Sequence, residues 1–347
     1  MLKKIDTTIW VSNLSTKTGE GTLARHFLKY ILLRNKNNII EIKTLEKSFI
    51  YKDNNFLERQ NSNKNCFFHK YFGPLYGIYC LWKNRNKNII YINYLPLWNF
   101  IIFLLLPKKT ILGPITGGIY YDKVNSLDSF IRKYIFPFFF KISIFIIYKK
   151  FKKVIFSTDL LKNYIPKSKY NYTLFNFVFS AFNLSFQKKT AKNKKEFDLI
   201  FYNRNHPTKT SLMRNNIINF LSKSYKICSV GDLYNNINVK NFGFVNKKKL
   251  YNLLKKSRAA LASEENFFSL FAIDAINSNV KIISFNKVFH NKNLRKYFFF
   301  INKNKNVFII KNKVKKILNL NSRYDNNFKK RIYLYRKKIT NFIQNIE

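Results

Sequence analysis

Short runs rich in β-branched and aromatic residues alternate along this chain with longer stretches of helical periodicity, and the alternation occurs twice. Several of these runs are apolar at consecutive positions, as is typical of parallel strands buried on both faces. Strand–helix alternation predicts a doubly wound sheet, so its repetition predicts two. The predicted strands are Thr7–Asn13, Asn38–Leu45, Asn88–Leu95, Thr110–Ile115, Lys153–Thr158, Phe197–Tyr202, Lys226–Val230, Ser257–Ser263 and Lys281–Phe285.

Between the strands, Gly21–Arg34, Leu250–Lys256 and Phe268–Asn277 carry apolar residues at helical spacing. The segment Ser180–Lys195 is polar and basic, and that shift in composition predicts a linker. Apolar positions in the strongly charged C-terminal stretch, such as Ile339 and Ile343, predict a final amphipathic helix.

We therefore expect an α/β protein with two doubly wound, Rossmann-like domains that face a cleft. Residues 1–180 would form the first domain and residues 196–321 the second. The helix over 322–347 would pack back on the first domain. In open α/β sheets ligands bind outside the carboxyl ends of the strands, so the cleft is where a ligand is expected.

The chain of 347 residues has 64 basic and only 17 acidic residues, for a formal net charge of +47. Abundant Lys, Asn, Ile, Phe and Tyr are typical of an AT-rich genome, which weakens charge as evidence of function. The scarcity of Asp and Glu still indicates an electropositive protein that attracts anions. Three widely spaced cysteines and a charged N-terminus without an apolar stretch favour a reducing cytoplasm, with no metal site or disulfide framework.

Two apolar runs raise the question of a membrane. Asn99–Pro107 is too short to span a bilayer, and Tyr134–Tyr148 falls short of the roughly 20 residues required and is interrupted by Pro137 and Lys141. Basic residues flank the second run on both sides. It is either a helix lying at an anionic membrane surface or a buried helix with a solvated basic end.

Glycine-rich loops follow two strands of the first half. Gly19 and Gly21 lie where the first helix begins, so this loop could bring its backbone close to an anion or simply form a tight turn. The loop Gly113–Gly118 follows a later strand and could approach a ligand or allow close sheet–helix packing. His69 is a candidate for contact with an acceptor, although the sequence favours a core or turn histidine.

Two cations follow the first strand of the second half. Arg204 and Lys209 lie five residues apart across a proline turn and could both reach one phosphate group. A solvated basic loop is the alternative. His206 between them is expected to be a turn residue.

Carboxylates, which are scarce elsewhere, gather at one strand-to-helix junction of the second half. Glu264, Glu265 and Asp274 surround the connection between the third strand of this half and the helix that follows. Carboxylates can accept hydrogen bonds from sugar hydroxyls, and nearby cations could hold a diphosphate. A solvated helix start near the helix dipole is the alternative.

These features, in this order, resemble the GT-B glycosyltransferases of family 4. The resemblance is strongest from about 197 to 286. It lies in Asn203-Arg204 with Pro207 and Lys209, Val230–Asp232, Gly243–Val245, Ser263–Ala275, and, in the first half, Gly19–Gly21 and Gly113–Gly118.

The resemblance implies a retaining glycosyl transfer without a metal or a separate cofactor. Arg204 and Lys209 would bind the donor diphosphate and stabilise the leaving group, Glu265 would contact the donor sugar, and Asp274 would bind the ribose. This chain differs from the family pattern in having Asp274 where a second Glu is expected, one residue further along, and Asn203 where Gly is expected before Arg204.

The sequence thus predicts a nucleotide-sugar glycosyltransferase acting on a lipid-linked or polysaccharide acceptor, in the cytoplasm and peripherally at the inner face of the membrane. A basic nucleic-acid-binding protein is one alternative, but the aromatic residues fall inside apolar runs and no recognition motif for nucleic acid is present, so no nucleic-acid partner is expected. An inactive GT-B protein, or one of another class such as a sugar-nucleotide epimerase, is the other alternative.

Overall fold

The computed structural model describes residues 5–15, 18–34, 38–45, 47–52, 55–60, 66–92, 95–116, 127–182, 195–205, 212–262, 269–285, 298–320 and 326–345. The chain divides into two compact units. The first comprises Met1–Ser180 together with Tyr335–Glu347, and the second comprises Ala181–Leu334.

The first unit is built on a six-stranded sheet. Its strands and α-helices are β1 (Thr7–Val11), α1 (Gly19–Arg34), β2 (Ile40–Lys43), β3 (Lys47–Lys52), β4 (Asn55–Gln60), α2 (Cys66–Lys83), β5 (Asn88–Ile92), β6 (Leu95–Pro96), α3 (Phe100–Leu105), β7 (Ile111–Leu112), β8 (Ile115–Thr116), α4 (Leu127–Phe130), α5 (Phe136–Lys150), β9 (Val154–Ile155) and β10 (Thr173–Leu174). The strand order in the sheet is β4-β3-β2-β1-β5-β7. Strands β2, β1, β5 and β7 are parallel, whereas β3 and β4 run antiparallel at one edge.

The first unit departs from the predicted strands at its edge hairpin, around Gly113 and at the unpredicted β10. The hairpin of β3 and β4 was not predicted, because its Lys and Asn residues weaken the apolar signal of a strand that lies at a sheet edge. The predicted strand Thr110–Ile115 is two short strands, which pair with different neighbours on either side of Gly113. A Cβ at Gly113 would lie 3.1 Å from the carbonyl oxygen of Tyr91, so packing between strands accounts for this glycine.

Both faces of the first sheet are covered by helices. Successive residues of β1 point to opposite faces: Ile9 and Val11 belong to one core cluster, and Trp10 belongs to the other. Helix α1 contributes Phe27 and Ile31 to the first cluster, while α2, α3 and α5 line the second. This covering on both sides is the doubly wound arrangement that the sequence predicts.

The second unit has a six-stranded sheet. Its elements are β11 (Phe197–Asn203), α6 (Leu212–Ser222), β12 (Ile227–Gly231), β13 (Val239–Asn241), α7 (Lys247–Lys255), β14 (Ser257–Leu261), α8 (Leu270–Asn277), β15 (Lys281–Ser284), β16 (Phe298–Phe300) and α9 (Val307–Asn319), and a final helix, α10 (Asn326–Gln344), begins in this unit and ends in the first. The strand order is β13-β12-β11-β14-β15-β16, and all the recorded pairings are parallel. The edge strands β13 and β16 have three residues each and were not predicted, since so short a run gives no periodicity.

From Tyr335 onward the C-terminal helix α10 belongs to the first unit and packs in its core, as predicted. Ile339 and Ile343 are fully buried in the cluster that contains Ile9 and Val11 of β1. The Tyr335 ring makes an edge contact with Phe179, at 5.0 Å between ring centroids. The residues at the end of the chain therefore complete the core of the domain formed at its beginning.

No helix in the described part of the chain is long and apolar enough to cross a membrane. The apolar run Tyr134–Tyr148 forms the end of a π-helical turn (Ile131–Ile135) and most of α5. One side of α5 is buried through Phe140, Ile144 and Ile147, and the other side is exposed.

The packing of α10 makes a direct prediction about stability. Replacing Ile339 by Ala should lower the free energy of unfolding by about 2–4 kcal/mol, because the change leaves a cavity in the core of the first unit. Leu334→Ala is the matched control: this leucine lies on the same helix but is about half exposed, so its loss should cost roughly 0.5 kcal/mol or less. Urea denaturation measures both; equal effects would contradict the packing.

Candidate functional site

The candidate site of the second unit lies at the carboxyl edge of its sheet. Strand β11 ends at Asn203 and is followed by Arg204, while the neighbouring β12 ends at Gly231 and is followed by Asp232. Asn203 and Gly231 are paired in the parallel register. Arg204 and Asp232 therefore leave the sheet side by side, at the edge where doubly wound sheets bind ligands.

Gly231 is required by the tight contact between these two strand ends. Its φ is +99°, a value that side chains disfavour, and an added Cβ would lie 2.3 Å from the carbonyl oxygen of Asn203. Its N–H donates to the carbonyl oxygen of Gly243 at 2.9 Å. Gly243, also at positive φ, thereby ties the loop before α7 to the same edge.

Asp232 and Asn203 fix the backbone on both sides of Arg204. The Asp232 carboxylate accepts a hydrogen bond of 2.6 Å from the N–H of Asn205, and the Asn203 amide donates to the carbonyl oxygens of Asp232 and Leu233 at 3.1 and 3.0 Å. Asn203 thus has a structural role at the end of its strand. In the sequence, Asp232 is only the last residue of the Val230–Asp232 motif, and nothing local indicates that its carboxylate holds this loop.

Arg204 is exposed and lies two residues after Tyr202, an aromatic residue of β11 that is 39% exposed. Burial raises the pKa of the Tyr202 hydroxyl, whereas the positive charge of Arg204 acts in the opposite direction. The Tyr202 ring lies 6.2 Å from that of Phe271 on α8, measured between centroids. This contact joins the strand that carries Arg204 to the helix that carries Asp274.

Asp274 is buried on α8 and bound by two residues of α7. Its Oδ1 accepts a hydrogen bond of 2.9 Å from the Tyr251 hydroxyl and lies 3.5 Å from the Lys247 ammonium. Burial raises the pKa of Asp274, an effect that Lys247 and Tyr251 only partly oppose. Burial and the adjacent carboxylate also raise the pKa of Tyr251. A carboxylate with a raised pKa beside a sheet edge is typical of a functional site.

Lys247 and Tyr251 were not identified from the sequence as members of this site. They lie four residues apart on α7 and therefore on one face of the helix. Lys247 is the first residue of α7, and Asn246 caps the helix by accepting from the N–H of Lys249 at 2.9 Å. Because helices of a parallel sheet begin near the carboxyl ends of the strands, the Lys247–Asp274 contact lies toward the same edge as Arg204.

The structure describes only some of the predicted site residues. Arg204 and Asp274 belong to the second unit and are linked through Tyr202 and Phe271 as described above. Lys209, Glu265, Glu264 and His206 lie outside the described residues. Helix α8 begins directly after one of these segments, with Ser269 as its N-cap, whose hydroxyl accepts from the N–H of Ala272 at 3.2 Å.

In the first unit the loop before α1 is held by its own side chains. The Thr18 hydroxyl accepts from the N–H of Gly21 at 3.1 Å, and the Asn13 amide donates to the same hydroxyl at 3.1 Å. A Cβ at Gly21 would lie 2.2 Å from the carbonyl oxygen of Ser15, so this contact alone requires glycine. Gly19 is the first residue of α1, and His69 lies in α2.

A cavity of about 470 Å³ opens in the first unit, and its lining includes none of the residues predicted for the site. The cavity is lined by two tyrosines, a phenylalanine, three lysines and an asparagine: Tyr148, Tyr172, Phe151, Lys152, Lys153, Lys169 and Asn345.

No group of three His, Cys, Asp or Glu residues that could hold a metal ion occurs in the described ranges.

Comparison with solved structures shows what fold this is. The chain is similar to a UDP-forming α,α-trehalose-phosphate synthase from Burkholderia xenovorans (TM-score 0.57, 8% identity, 99% of each chain covered). It is also similar to sucrose-phosphate synthase from Thermosynechococcus elongatus (0.55, 10%, 90% of each chain). A third similar structure is Anabaena HepE in complex with UDP and glucose (0.53, 11%, 97% of this chain and 99% of that one).

No protein-family model matches the sequence, and no curated protein matches it either. At such low identity the likenesses show the fold alone. The protein has a GT-B-like α/β fold, which confirms the predicted fold class.

The strand contact at Gly231 predicts a large cost of substitution. Gly231→Ala should lower the free energy of unfolding by at least ~2 kcal/mol, because it combines a disfavoured φ with a clash against Asn203. Gly243→Ala is the control: it shares the positive φ but would place no atom within 4 Å of the new Cβ, so it should cost only about 1 kcal/mol. Urea denaturation of both variants checks the difference.

The raised pKa of Asp274 predicts a pH-dependent effect on stability. The pKa of Asp274 is higher in the folded protein than in the unfolded chain. Above the folded-state pKa the ionised carboxylate therefore lowers the free energy of unfolding, and this loss disappears as the pH falls through that pKa. Asp274→Asn keeps an acceptor for Tyr251 without the charge. This variant should melt at a higher temperature than wild type at pH 7, and its advantage should shrink as the pH approaches 4.

Asp232→Asn provides the contrast for this experiment. Its carboxylate accepts a short backbone hydrogen bond, so neutralising it should lower the free energy of unfolding by roughly 1 kcal/mol at pH 7. Thermal melts across the pH range distinguish the two variants. A lower melting temperature for Asp274→Asn at pH 7 would show that the contacts with Lys247 and Tyr251 outweigh burial.

Proposed function

We propose that this protein transfers a glycosyl group from a nucleotide-sugar donor to a lipid-linked or polysaccharide acceptor. The observation that carries the proposal is that the second unit has both an exposed cation and a buried carboxylate close to the same strand. Arg204 follows β11 at the carboxyl edge of the sheet, and Asp274 lies on the helix whose Phe271 contacts the same strand. A cation for phosphate and a carboxylate for hydroxyls together suit a sugar linked to a nucleoside diphosphate.

The fold supports the same class of ligand. Among the similar structures, HepE is described in complex with UDP and glucose, and the trehalose-phosphate synthase is described as UDP-forming. We assign donor binding to the domain over 196–321 and acceptor binding to the domain over 1–180, with Gly19 and Gly21 at the donor or acceptor phosphates. The helix over 322–347 serves as a structural third part.

Arg204 acts in this proposal on the diphosphate of the donor. Its guanidinium presents paired N–H donors that match phosphate oxygens, and its backbone is already fixed by Asn203 and Asp232. Together with Lys209 it stabilises the negative charge that develops on the departing nucleoside diphosphate, so the reaction needs no metal for that role. Binding that strengthens as the charge develops lowers the barrier.

Asp274 acts on the ribose, and Glu265 on the transferred sugar. Tyr251 and Lys247 hold the Asp274 carboxylate in one orientation, so it is ready to accept hydroxyl hydrogen bonds without rearranging. A buried charged carboxylate lowers the stability of the protein, and a role in binding would explain why it is present. We further propose transfer with retention of anomeric configuration, in the cytoplasm and at the inner membrane face.

Binding of nucleotide sugars tests the proposal directly. UDP-, GDP- and ADP-sugars should be titrated calorimetrically into wild type, Arg204→Ala and Asp274→Asn. At least one donor should bind wild type, and Arg204→Ala should weaken that binding by on the order of tenfold or more, because a charge-assisted hydrogen bond contributes about 1.5–3 kcal/mol. Release of nucleoside diphosphate in the presence of acceptor glycans then reports turnover.

Arg331→Ala is the matched control, since Arg331 is an exposed arginine of the second unit outside the proposed site. It should bind the donor as wild type does. Absence of binding to every donor, together with tight and salt-sensitive RNA binding, would overturn the proposal. Donor binding followed by conversion of the sugar without transfer would indicate an epimerase instead.

A further inference from the structure

Three helices of the first unit leave large apolar side chains exposed on adjoining surfaces. Helices α2, α3 and α5 bury one side each in the same core cluster and expose another. We call this surface the three-helix face. It comprises Tyr79, Trp82, Ile101, Leu104, Leu105, Tyr134, Phe138 and Phe145.

Aromatic residues and lysines lie on the exposed side of α5 and of the turn before it. Tyr134, Phe138, Lys141, Phe145 and Lys149 follow one another at intervals of three or four residues, which places them on one side of the helix. The Phe138 and Phe145 side chains are 61% and 68% exposed. The buried side of α5 packs in the core, so this row of aromatic residues and lysines faces outward.

Hydrogen bonds join the three helices into one surface. The Trp82 indole N–H on α2 donates to the carbonyl oxygen of Leu105 on α3 at 2.8 Å. The Lys150 ammonium on α5 donates to the carbonyl oxygens of Phe103 and Leu104 at 3.2 and 2.6 Å. The exposed Leu104 and Leu105 therefore stand between the aromatic side chains of α2 and α5.

Taken together, the helices that form this face and the turn before α5 are basic and contain no Asp or Glu. No Asp or Glu occurs between Glu58 and Asp122, or between Asp128 and Asp159. Cations lie over rings of the face: Lys149 over Phe145 at 5.7 Å, and Arg85 over Trp82 at 5.8 Å. Other basic residues in the same segments include Lys83, Lys108, Lys109, Lys133 and Lys141.

We propose that the three-helix face docks on a lipid bilayer that carries anionic phospholipid headgroups. Aromatic and leucine side chains with lysines at their margin match the two layers of such a surface, because the apolar groups enter the acyl boundary while the ammonium groups stay at the phosphates. Attraction of lysines to anionic lipid adds about fivefold in affinity per residue.

The same features weigh against other occupants. A second copy would bring two lysine-rich faces together, and like charges oppose that contact. A nucleic acid would be drawn to the lysines but would leave Ile101, Leu104 and Leu105 in contact with phosphates and water. Bilayer docking uses both the charge and the aliphatic groups.

Sedimentation with lipid vesicles tests the proposal without any sugar donor. Wild type should bind vesicles of phosphatidylglycerol mixed with phosphatidylcholine at least tenfold more tightly than vesicles of phosphatidylcholine alone. Binding should weaken as NaCl is raised, because salt screens the lysines. Failure to bind either kind of vesicle would overturn the proposal.

Two sets of variants separate the apolar from the charged contribution. Leu104→Ser/Phe138→Ser/Phe145→Ser should reduce vesicle binding by more than tenfold, whereas Ile237→Ser/Leu320→Ser, which changes exposed residues of the second unit, should leave it unchanged. Lys141→Gln/Lys149→Gln should weaken vesicle binding roughly 25-fold, at about fivefold per lysine, and should remove much of its salt dependence. The control Lys248→Gln/Lys305→Gln should lose little of either.

The outcomes also distinguish this proposal from that of a nucleotide-sugar enzyme. Because every replaced side chain is exposed, the variants should melt as wild type does and should bind donors equally well. Equal vesicle binding by the face variants and their controls would overturn the docking proposal and leave donor binding untouched. If wild type bound RNA but not vesicles, the partner of this face would be RNA and not a bilayer. If wild type formed a dimer that the face variants abolished, the partner would be a second copy of the chain.

Discussion

Burial of the central strands on both faces is the constraint on which the rest of this structure depends. Ile9, Trp10 and Val11 are fully buried although they point to alternate sides of the sheet. A sheet with two apolar faces must be covered by helices on both, and the helices must return the chain to the start of the next parallel strand. The carboxyl ends are left as the edge where side chains such as Arg204 can project.

The site at that edge combines rigid backbone with a costly charge. Gly231, Asn203 and Asp232 lock two strand ends together, so the position of Arg204 is set before any ligand binds. Asp274 is buried against Tyr251 and Lys247, and its raised pKa shows that these contacts do not fully offset desolvation. Preorganised groups held at some cost to stability are what a binding site requires. The binding roles of Arg204 and Asp274 stay predictions, as do those of Glu265 and Lys209, which lie outside the described residues.

Parts of the fold could be predicted where the signal is local and periodic. The buried strands Phe197–Asn203 and Ser257–Leu261, and the helix Gly19–Arg34, were predicted close to their observed bounds because each carries its own apolar pattern. The edge hairpin Lys47–Gln60 was missed, since strands exposed at an edge can be polar and their pairing comes from a neighbour. Gly21 was predicted at a ligand loop, and the structure shows that contact with Ser15 already requires it.

The sequence alone determined the two doubly wound sheets, the C-terminal amphipathic helix, and the cation and carboxylate of the second unit, because these depend on spacing within a few residues. Only the tertiary structure decided that Tyr251 and Lys247 bind Asp274, and that Phe271 meets Tyr202. It also placed Trp82 against Leu105 and so joined three helices into one exposed face. These partners lie 20 or more residues apart, and no periodicity relates them; they meet because the covered sheets fix where each helix begins.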